Sequence, residues 1–206
     1  MSVYSGRMAL TIAVLNQKGG VGKSTTTVML AIGLARNGHT VEVWDTDPQG
    51  TATDWIETAQ EGGAVLPFTF DSKNRRQIAR AHKETTADVV LIDTPPGDAG
   101  VQNEVAALAS LVIVPTAPKV ADMSRTWESV GNLGGAPTVV LVTLANKRTR
   151  NYAATLDALD ANDVPRFEGT IAAREKYADA MGTLPDDLGE YADVVTEIEE
   201  MIANAD

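Results

Sequence analysis

The stretch Lys18-Gly19-Gly20-Val21-Gly22-Lys23-Ser24-Thr25 decides the fold class of this chain. The apolar run over residues 8–15 precedes it, and helical spacing of apolar residues begins at Gly22. A glycine-rich loop between a buried strand and a helix lets backbone N–H groups approach phosphate oxygens, and the helix N-terminus favours an anion. The stretch therefore predicts a phosphate-binding loop.

Two side chains of this loop supply the chemistry that phosphate binding needs. Lys23 can neutralise the charge of the β- and γ-phosphates, and the Ser24 hydroxyl can ligate Mg²⁺. A glycine turn that binds no ligand is the poorer interpretation. The loop lies between a strand and a helix, and it has the length of a phosphate-binding loop. The predicted nucleotide contacts in the loop are Lys18, Gly19, Gly20, Val21, Gly22, Lys23, Ser24 and Thr25.

Strand-like and helical patterns alternate along the rest of the chain. The strand-like runs are 40–44, 64–70, 88–92, 111–114, 137–144 and 164–167, and the helical runs are 72–83, 101–109, 121–133, 152–159, 174–181 and 188–203. Continuous Val/Ile/Leu strands between helices are typical of parallel strands covered on both faces. The sequence predicts an α/β fold in a single domain over residues 1–206, a doubly wound, mostly parallel sheet with helices on both faces.

Composition excludes several classes of protein. The 206 residues include no cysteine, which rules out disulfides, a thiolate nucleophile and Cys-held zinc or iron–sulfur clusters. Hydrophobic residues make up 44% and charged residues 22%, the balance of a folded globular protein. The apolar runs are far shorter than the ~20 residues that cross a bilayer. We expect a cytosolic protein that does not bind membranes.

The negative charge is concentrated near the C-terminus. The formal net charge is −11, yet residues 177–206 contain nine acids and no Lys or Arg, so residues 1–176 carry only −2. A small basic cluster, Lys147, Arg148 and Arg150, lies in this nearly neutral part, and further cations follow at 166, 174 and 176. Such a cluster taken alone is more often solvated surface charge than a binding site.

The loop departs from the usual phosphate-loop pattern at two positions. Gln17 stands where the first glycine belongs, and Lys18 precedes the glycine pair. This form resembles the deviant Walker A motif of the MinD/ParA class of P-loop ATPases. The stretch 45–49, Asp-Thr-Asp-Pro-Gln, resembles the switch I motif of that family, and 91–96, Leu-Ile-Asp-Thr-Pro-Pro, resembles its Walker B strand and switch II.

The resemblance implies an enzyme that uses ATP and Mg²⁺ and hydrolyses ATP to ADP and phosphate. Asp93, at the end of a buried strand, can hold the magnesium shell, while Asp47 would position the attacking water and Asp45 would support the metal. The catalytic residues so implied are Lys18, Lys23 and Asp47, and the magnesium residues are Ser24, Asp45 and Asp93.

The family forms dimers on ATP, and the resemblance gives Lys18 a role across the two-fold interface, at the partner's nucleotide. The segment 115–122 resembles the part of the family that lines the nucleotide and the dimer interface, with Pro118 as a nucleotide contact and Asp122 as a candidate partner of Lys18. Asn146 follows a strand where some relatives contact adenine, but an ordinary loop asparagine fits that position equally.

Within the family, the residues favour a small ParA-type partition ATPase. Iron–sulfur branches need cysteines, and the acidic segment 190–206 disfavours docking on anionic lipid. The resemblance implies a dimer that binds DNA without sequence preference, associates with the nucleoid and responds to a ParB-like centromere-binding partner. The candidate DNA contacts are Lys147, Arg148, Arg150, Arg174 and Lys176.

Two other functions stay open. A ParA-like ATPase that positions a protein cargo would carry the same nucleotide motifs. The other is a P-loop kinase or ligase that acts on a small molecule. Lys18 and the 45–49 stretch are less typical of that class than of the dimerising ATPases.

Overall fold

Six parallel strands form the sheet at the centre of the molecule. The computed structural model describes residues 9–119 and 136–204. Its strands are β1 (Leu10–Val14), β2 (Val41–Asp45), β3 (Thr69–Ser72), β4 (Val89–Asp93), β5 (Leu111–Thr116) and β6 (Thr138–Val142). They lie in the order β3-β2-β4-β1-β5-β6, and every neighbouring pair is parallel. Among the described residues, no helix is long and apolar enough to cross a bilayer.

Helices cover both faces of this sheet, which confirms the predicted fold class. The helices are α1 (Lys23–Arg36), α2 (Thr51–Glu61), α3 (Arg75–Glu84), α4 (Ala99–Leu108), α5 (Arg150–Ala161), α6 (Glu175–Asp179) and α7 (Tyr191–Asn204). One apolar core joins the sheet to α1, α2 and α7, and a second core joins the opposite face to α3, α4 and α5. In β1, Ile12 belongs to the first core and Ala13 to the second, so both faces of the strand are apolar.

Helix α7 packs closely on α1. A Cβ at Gly33 would lie 2.6 Å from Cγ2 of Val195, so only glycine permits this approach without a shift of α7. Val194, Val195 and Ile198 are buried against the body. The apolar face of α7 therefore lies in the core, as in an amphipathic helix.

The chain direction places three sequence motifs at one edge of the sheet. Strand β1 lies between β4 and β5, and the loops after β1, β2 and β4 all leave from the carboxyl ends of their strands. In doubly wound sheets, ligands bind at this edge, in the crevice where the strand order reverses. The fold brings the glycine loop, the 45–49 stretch and the loop after β4 together there.

Some predicted elements differ from those observed. The strand expected over 64–70 is β3, Thr69–Ser72, because the preceding residues leave the sheet and Val65 is 89% exposed. Helix α2 was not predicted. The strand expected at 164–167 is reduced to a single bridge between Val140 and Arg166, and the helix expected over 174–181 is the shorter α6. The predicted helix over 121–133 and the role given to Asp122 lie outside the described residues.

Candidate functional site

A cleft of about 460 Å³ opens where the three motif loops meet. The glycine loop and the start of α1 form its floor, the loop after β2 forms one wall, and residues after β6 and around α6 form the far end. The lining at the glycine-loop end is Gly19, Gly20, Gly22, Lys23, Ser24, Thr25, Asp47, Gln49, Thr51 and Pro96. The volume is in the range of small-molecule sites.

The glycine loop has the backbone conformation that its sequence predicts. Gly20 and Gly22 have φ values of 70° and 88°, a region that other residues enter only with strain. Gly22 is also the residue from which α1 begins, and its carbonyl accepts a hydrogen bond from the Thr26 N–H at 2.8 Å. The turn thereby directs the N-terminus of α1 into the cleft, where an anion is favoured.

Buried polar side chains hold this loop against the strands. Asn16 is 1% exposed; its Nδ2 donates to the Pro115 carbonyl at 2.8 Å, and its Oδ1 accepts from the Lys18 N–H at 2.9 Å. The buried Gln102 side chain, from α4, donates to the carbonyl of Asn16 at 3.3 Å. The Thr143 hydroxyl, after β6, donates to the Val21 carbonyl at 2.8 Å. None of these positioning residues was predicted.

Lys23 is the first residue of α1 and is only 7% exposed. Its Nζ donates to the Lys18 carbonyl at 3.1 Å, so the ammonium lies along the inner side of the glycine loop. Burial lowers the pKa of Lys23, while the charges of Asp93 and Asp47 oppose this shift. A buried cation beside two carboxylates is suited to pairing with a multiply charged anion.

Asp93 and Ser24 meet beneath the loop. The Ser24 Oγ donates to Oδ2 of Asp93 at 2.6 Å, and Asp93 is fully buried at the end of β4. Burial raises the pKa of Asp93 to about 7, and the hydrogen bond from Ser24 opposes this rise. Its other oxygen, Oδ1, is buried and has no hydrogen-bond partner among the residues described.

These two side chains fit a magnesium ion. A buried carboxylate oxygen without a partner is costly, and a cation would satisfy it. Mg²⁺ takes hard oxygen ligands and usually uses few protein groups, with water and phosphate completing its shell.

Asp45 has a different environment. Its Oδ1 accepts from the Asp47 N–H at 2.9 Å, and its Oδ2 accepts from the N–H and hydroxyl of Thr53 at 3.0 and 2.7 Å. Both oxygens therefore hold the loop after β2 and the first turn of α2. This geometry favours a positioning role over the predicted contact with the metal, which stays a prediction.

Asp47 lines the cleft and is half-buried. Its backbone is fixed by Asp45, and its Oδ1 accepts from the Gln49 N–H at 2.9 Å. The carboxylate contributes to the electrostatic environment of Lys23 and of Asp93. The structure thus places Asp47 beside the other predicted nucleotide residues, as a role in orienting water requires.

The far end of the cleft is largely apolar, and Arg174, one of the predicted DNA contacts, also lines the cleft. Its lining includes Ile171, Tyr177, Leu144 and Met181, and the last two are 45% and 48% exposed. Leu144 has a φ of 51°, a conformation that bulky residues adopt only under constraint. A planar base would find an apolar surface here, and sequence reasoning did not identify these residues.

Four predicted nucleotide contacts lie outside this lining: Lys18 and Val21 in the glycine loop, and Pro118 and Asn146 beyond it. Pro118 is buried just after β5, and Asn146 lies in an exposed turn where its Oδ1 accepts from the Arg148 N–H at 3.1 Å. In the part of the chain that the structure describes, none of the four belongs to the cleft wall. Their contacts with a nucleotide remain predictions.

The five predicted DNA contacts fall into two groups. Arg174 pairs with Glu190 at 2.6 Å, and Lys176 pairs with Asp187 at 3.3 Å, so an acid lies beside each of these two charges. The cations of the cluster at 147–150 are exposed, and none of them forms an ion pair within residues 9–119 and 136–204. The second group therefore offers the stronger attraction for phosphate.

Comparison with known proteins agrees with this geometry. The model of the CobQ/CobB/MinD/ParA nucleotide binding domain matches residues 12–185. The chain is 33% identical over 172 residues to the maintenance of carboxysome distribution protein A of Gloeobacter kilaueensis, covering 81% of this chain and 78% of that protein. It is 32% identical over 176 residues to the chromosome-partitioning ATPase Soj of Thermus thermophilus, covering 67% of this chain and 70% of that protein.

A solved structure shows the same fold. The plasmid partition protein of Borrelia burgdorferi bound to AMPPNP superimposes with a TM-score of 0.76 over 96% of this chain and 100% of that one. Its sequence is 18% identical, so the likeness concerns the fold alone.

Proposed function

The chain belongs to the CobQ/CobB/MinD/ParA nucleotide-binding family, and on that premise we propose that it is a ParA-type partition ATPase that hydrolyses ATP to ADP and phosphate. One observation carries the proposal. The buried Asp93, the Ser24 hydroxyl and the buried Lys23 converge beneath a glycine loop whose floor is the N-terminus of α1. This arrangement suits Mg·ATP, with the apolar end of the cleft taking the base.

Each residue has a separable part in hydrolysis. Lys23 and the backbone N–H groups of the loop would bind the β- and γ-phosphates, and Ser24 and Asp93 would hold Mg²⁺. The metal, when bound, supplies positive charge that stabilises the charge on the transferring phosphate. Asp47 would orient the attacking water. Asp45 would keep Asp47 in place by accepting the hydrogen bond that the Asp47 N–H donates.

We propose that ATP drives dimerisation through Lys18. The residue precedes the glycine pair, and its own carbonyl is held by Lys23, so its position is fixed by the same loop that binds phosphate. A cation at the rim of this loop can reach the nucleotide of a second subunit.

Lys18→Ala is expected to leave the affinity for ATP within about tenfold and to abolish ATP-dependent dimerisation, since the lost contact crosses the interface. Light scattering with ATP, compared with ADP, measures this. A variant that dimerises like the wild type would remove the proposed role across the interface.

The DNA-binding part of the proposal rests on the basic cluster at 147–150. Its three cations are too few for tight binding by one subunit, and a dimer doubles them. Six phosphate contacts would contribute about −5 to the slope of log affinity against log salt. Binding should therefore need ATP and Mg²⁺, show no sequence preference and weaken steeply with salt.

Replacing Arg148 and Arg150 by alanine is expected to reduce the magnitude of this slope by about 3.6, because a dimer loses about four phosphate contacts. Mobility shifts on unrelated duplexes at several salt concentrations measure the slope, and light scattering checks that dimerisation persists. Arg36→Ala with Arg166→Ala removes the same charge from cations paired elsewhere. Equal binding by the two double variants would show that the cluster is not the DNA surface.

For the cargo, we propose DNA carried by a ParB-like centromere-binding partner that stimulates hydrolysis. A protein cargo is the second candidate, and the similarity to a carboxysome distribution protein favours it specifically. The protein encoded by the gene next to that of this chain can be used to distinguish a DNA cargo from a protein cargo. Stimulation of hydrolysis by a partner that binds a specific DNA site supports DNA partition, whereas stimulation by a partner without DNA affinity supports a protein cargo.

A further inference from the structure

Helix α3 presents an unusually basic surface. Its sequence contains four cations and one acid, although the whole chain has a net charge of −11. Only Ile78 of this helix is buried. A capping box formed by Asn74 and Gln77 fixes its first turn, so the orientation of the helix is well defined.

Three of the cations form a stripe, Arg76, Arg80 and Lys83. At 3.6 residues per turn they fall within about 60° of one another, on the side opposite Ile78. The stripe extends for about 10 Å along the helix. All three side chains are exposed, so the stripe faces solvent along its whole length.

The stripe is only weakly compensated by acids. Arg76 and Lys83 have no ion pair with any carboxylate in the described ranges. Arg80 pairs with Glu84 at 2.8 Å, but its side chain is 80% exposed, and a pair of this kind contributes little stability. The guanidinium can therefore exchange its carboxylate for another anion at small cost.

We propose that the stripe is a second surface for duplex DNA, separate from the basic cluster at 147–150. The inference rests on the proposed DNA binding and adds a site to it. Strands β3 and β6 are the two edges of the sheet, α3 follows β3, and the cluster follows β6. The two strands are five strand spacings apart, roughly 24 Å, so the two surfaces contact different phosphates.

The chemistry of the helix selects a nucleic acid over an acidic protein. Protein interfaces are centred on apolar or aromatic anchors, and the large exposed hydrophobic side chains of the described residues all lie outside α3. Duplex DNA carries one charge per ~1.7 Å of its axis, so a 10 Å stripe lies beside about six phosphates. Arginine also binds phosphate through two parallel hydrogen bonds.

The test is Arg76→Ala with Lys83→Ala in the full chain, compared with the Arg36→Ala/Arg166→Ala control. Both α3 positions are exposed and alanine favours helix, so the variant should fold. DNA affinity with ATP and Mg²⁺ is expected to fall at least about tenfold. The magnitude of the salt slope should fall by about 3.6 for four contacts per dimer. ATP-driven dimerisation and basal hydrolysis should not change.

The outcomes separate this inference from the proposed function. If the Arg148→Ala/Arg150→Ala variant loses affinity and the α3 variant binds DNA like the control, the second surface is refuted and the proposed function stands. If wild-type protein binds ATP but no DNA, both DNA surfaces are refuted and a protein cargo is favoured. If the α3 variant loses ATP-driven self-association, and its DNA affinity falls with it, the stripe instead contacts an acidic surface of this chain, and the inference fails.

Discussion

Lys23→Ala should lower the affinity for Mg·ATP by about 10²- to 10³-fold or more. Lys23 is 7% exposed, and its ammonium lies along the loop, where Asp93 and Asp47 also contribute charge. Without it, the triphosphate would enter a partly desolvated site that holds buried negative charge and has lost the lysine that faces the phosphates. Leaving a buried charge unpaired in this way typically costs about 3–5 kcal/mol. Titration with a fluorescent ATP analogue measures the loss.

Lys18→Ala is the matched control for this experiment. It removes a lysine from the same loop, yet its expected effect on ATP affinity is within about tenfold, because its proposed contact lies in the other subunit. Alanine is also a strong helix former at the first position of α1, so Lys23→Ala should keep its fold, which thermal unfolding checks. A folded Lys23→Ala variant with near wild-type affinity would overturn the assignment of the phosphate loop.

The glycine loop and the sheet could be predicted because their signals are local. Gly20 and Gly22 need positive φ, and that requirement is visible in the sequence itself. The strands show continuous apolar runs because alternate residues, such as Ile12 and Ala13 in β1, enter different cores. Helix α2 had a similar signal in the spacing of Ala52, Trp55, Ile56 and Ala59, which are all buried. Its three threonines and the flanking glycines obscured that pattern.

The contacts that hold the site depend on residues far apart in the chain. Asn16 binds a carbonyl 99 positions away, and Thr143 binds one 122 positions away. An isolated polar residue in the sequence does not reveal such a partner. The same limit applies to ion pairs. Arg174 pairs with Glu190, and the cation's own sequence context does not show this pairing.

Asp47→Ala is expected to bind ATP and dimerise while hydrolysing about 10²-fold more slowly or worse. The phosphates and metal would still be held by the loop, Ser24 and Asp93, so binding persists. The variant loses the carboxylate that orients the attacking water, and positioning effects of this kind are commonly worth about 10² in rate. Single-turnover hydrolysis of bound ATP measures the chemical step directly.

Asp47→Asn distinguishes this role from a structural one. The Asp47 Oδ1 accepts from the Gln49 N–H at 2.9 Å, and an asparagine oxygen can keep that bond while the negative charge is lost. If Asp47 orients water through its charge, the Asn and Ala variants will both hydrolyse slowly. If its main task is to shape the loop after β2, the Asn variant will regain most of the rate. Recovery of turnover in Asp47→Asn would therefore assign the water to another residue and leave Asp47 with a structural role in the loop after β2.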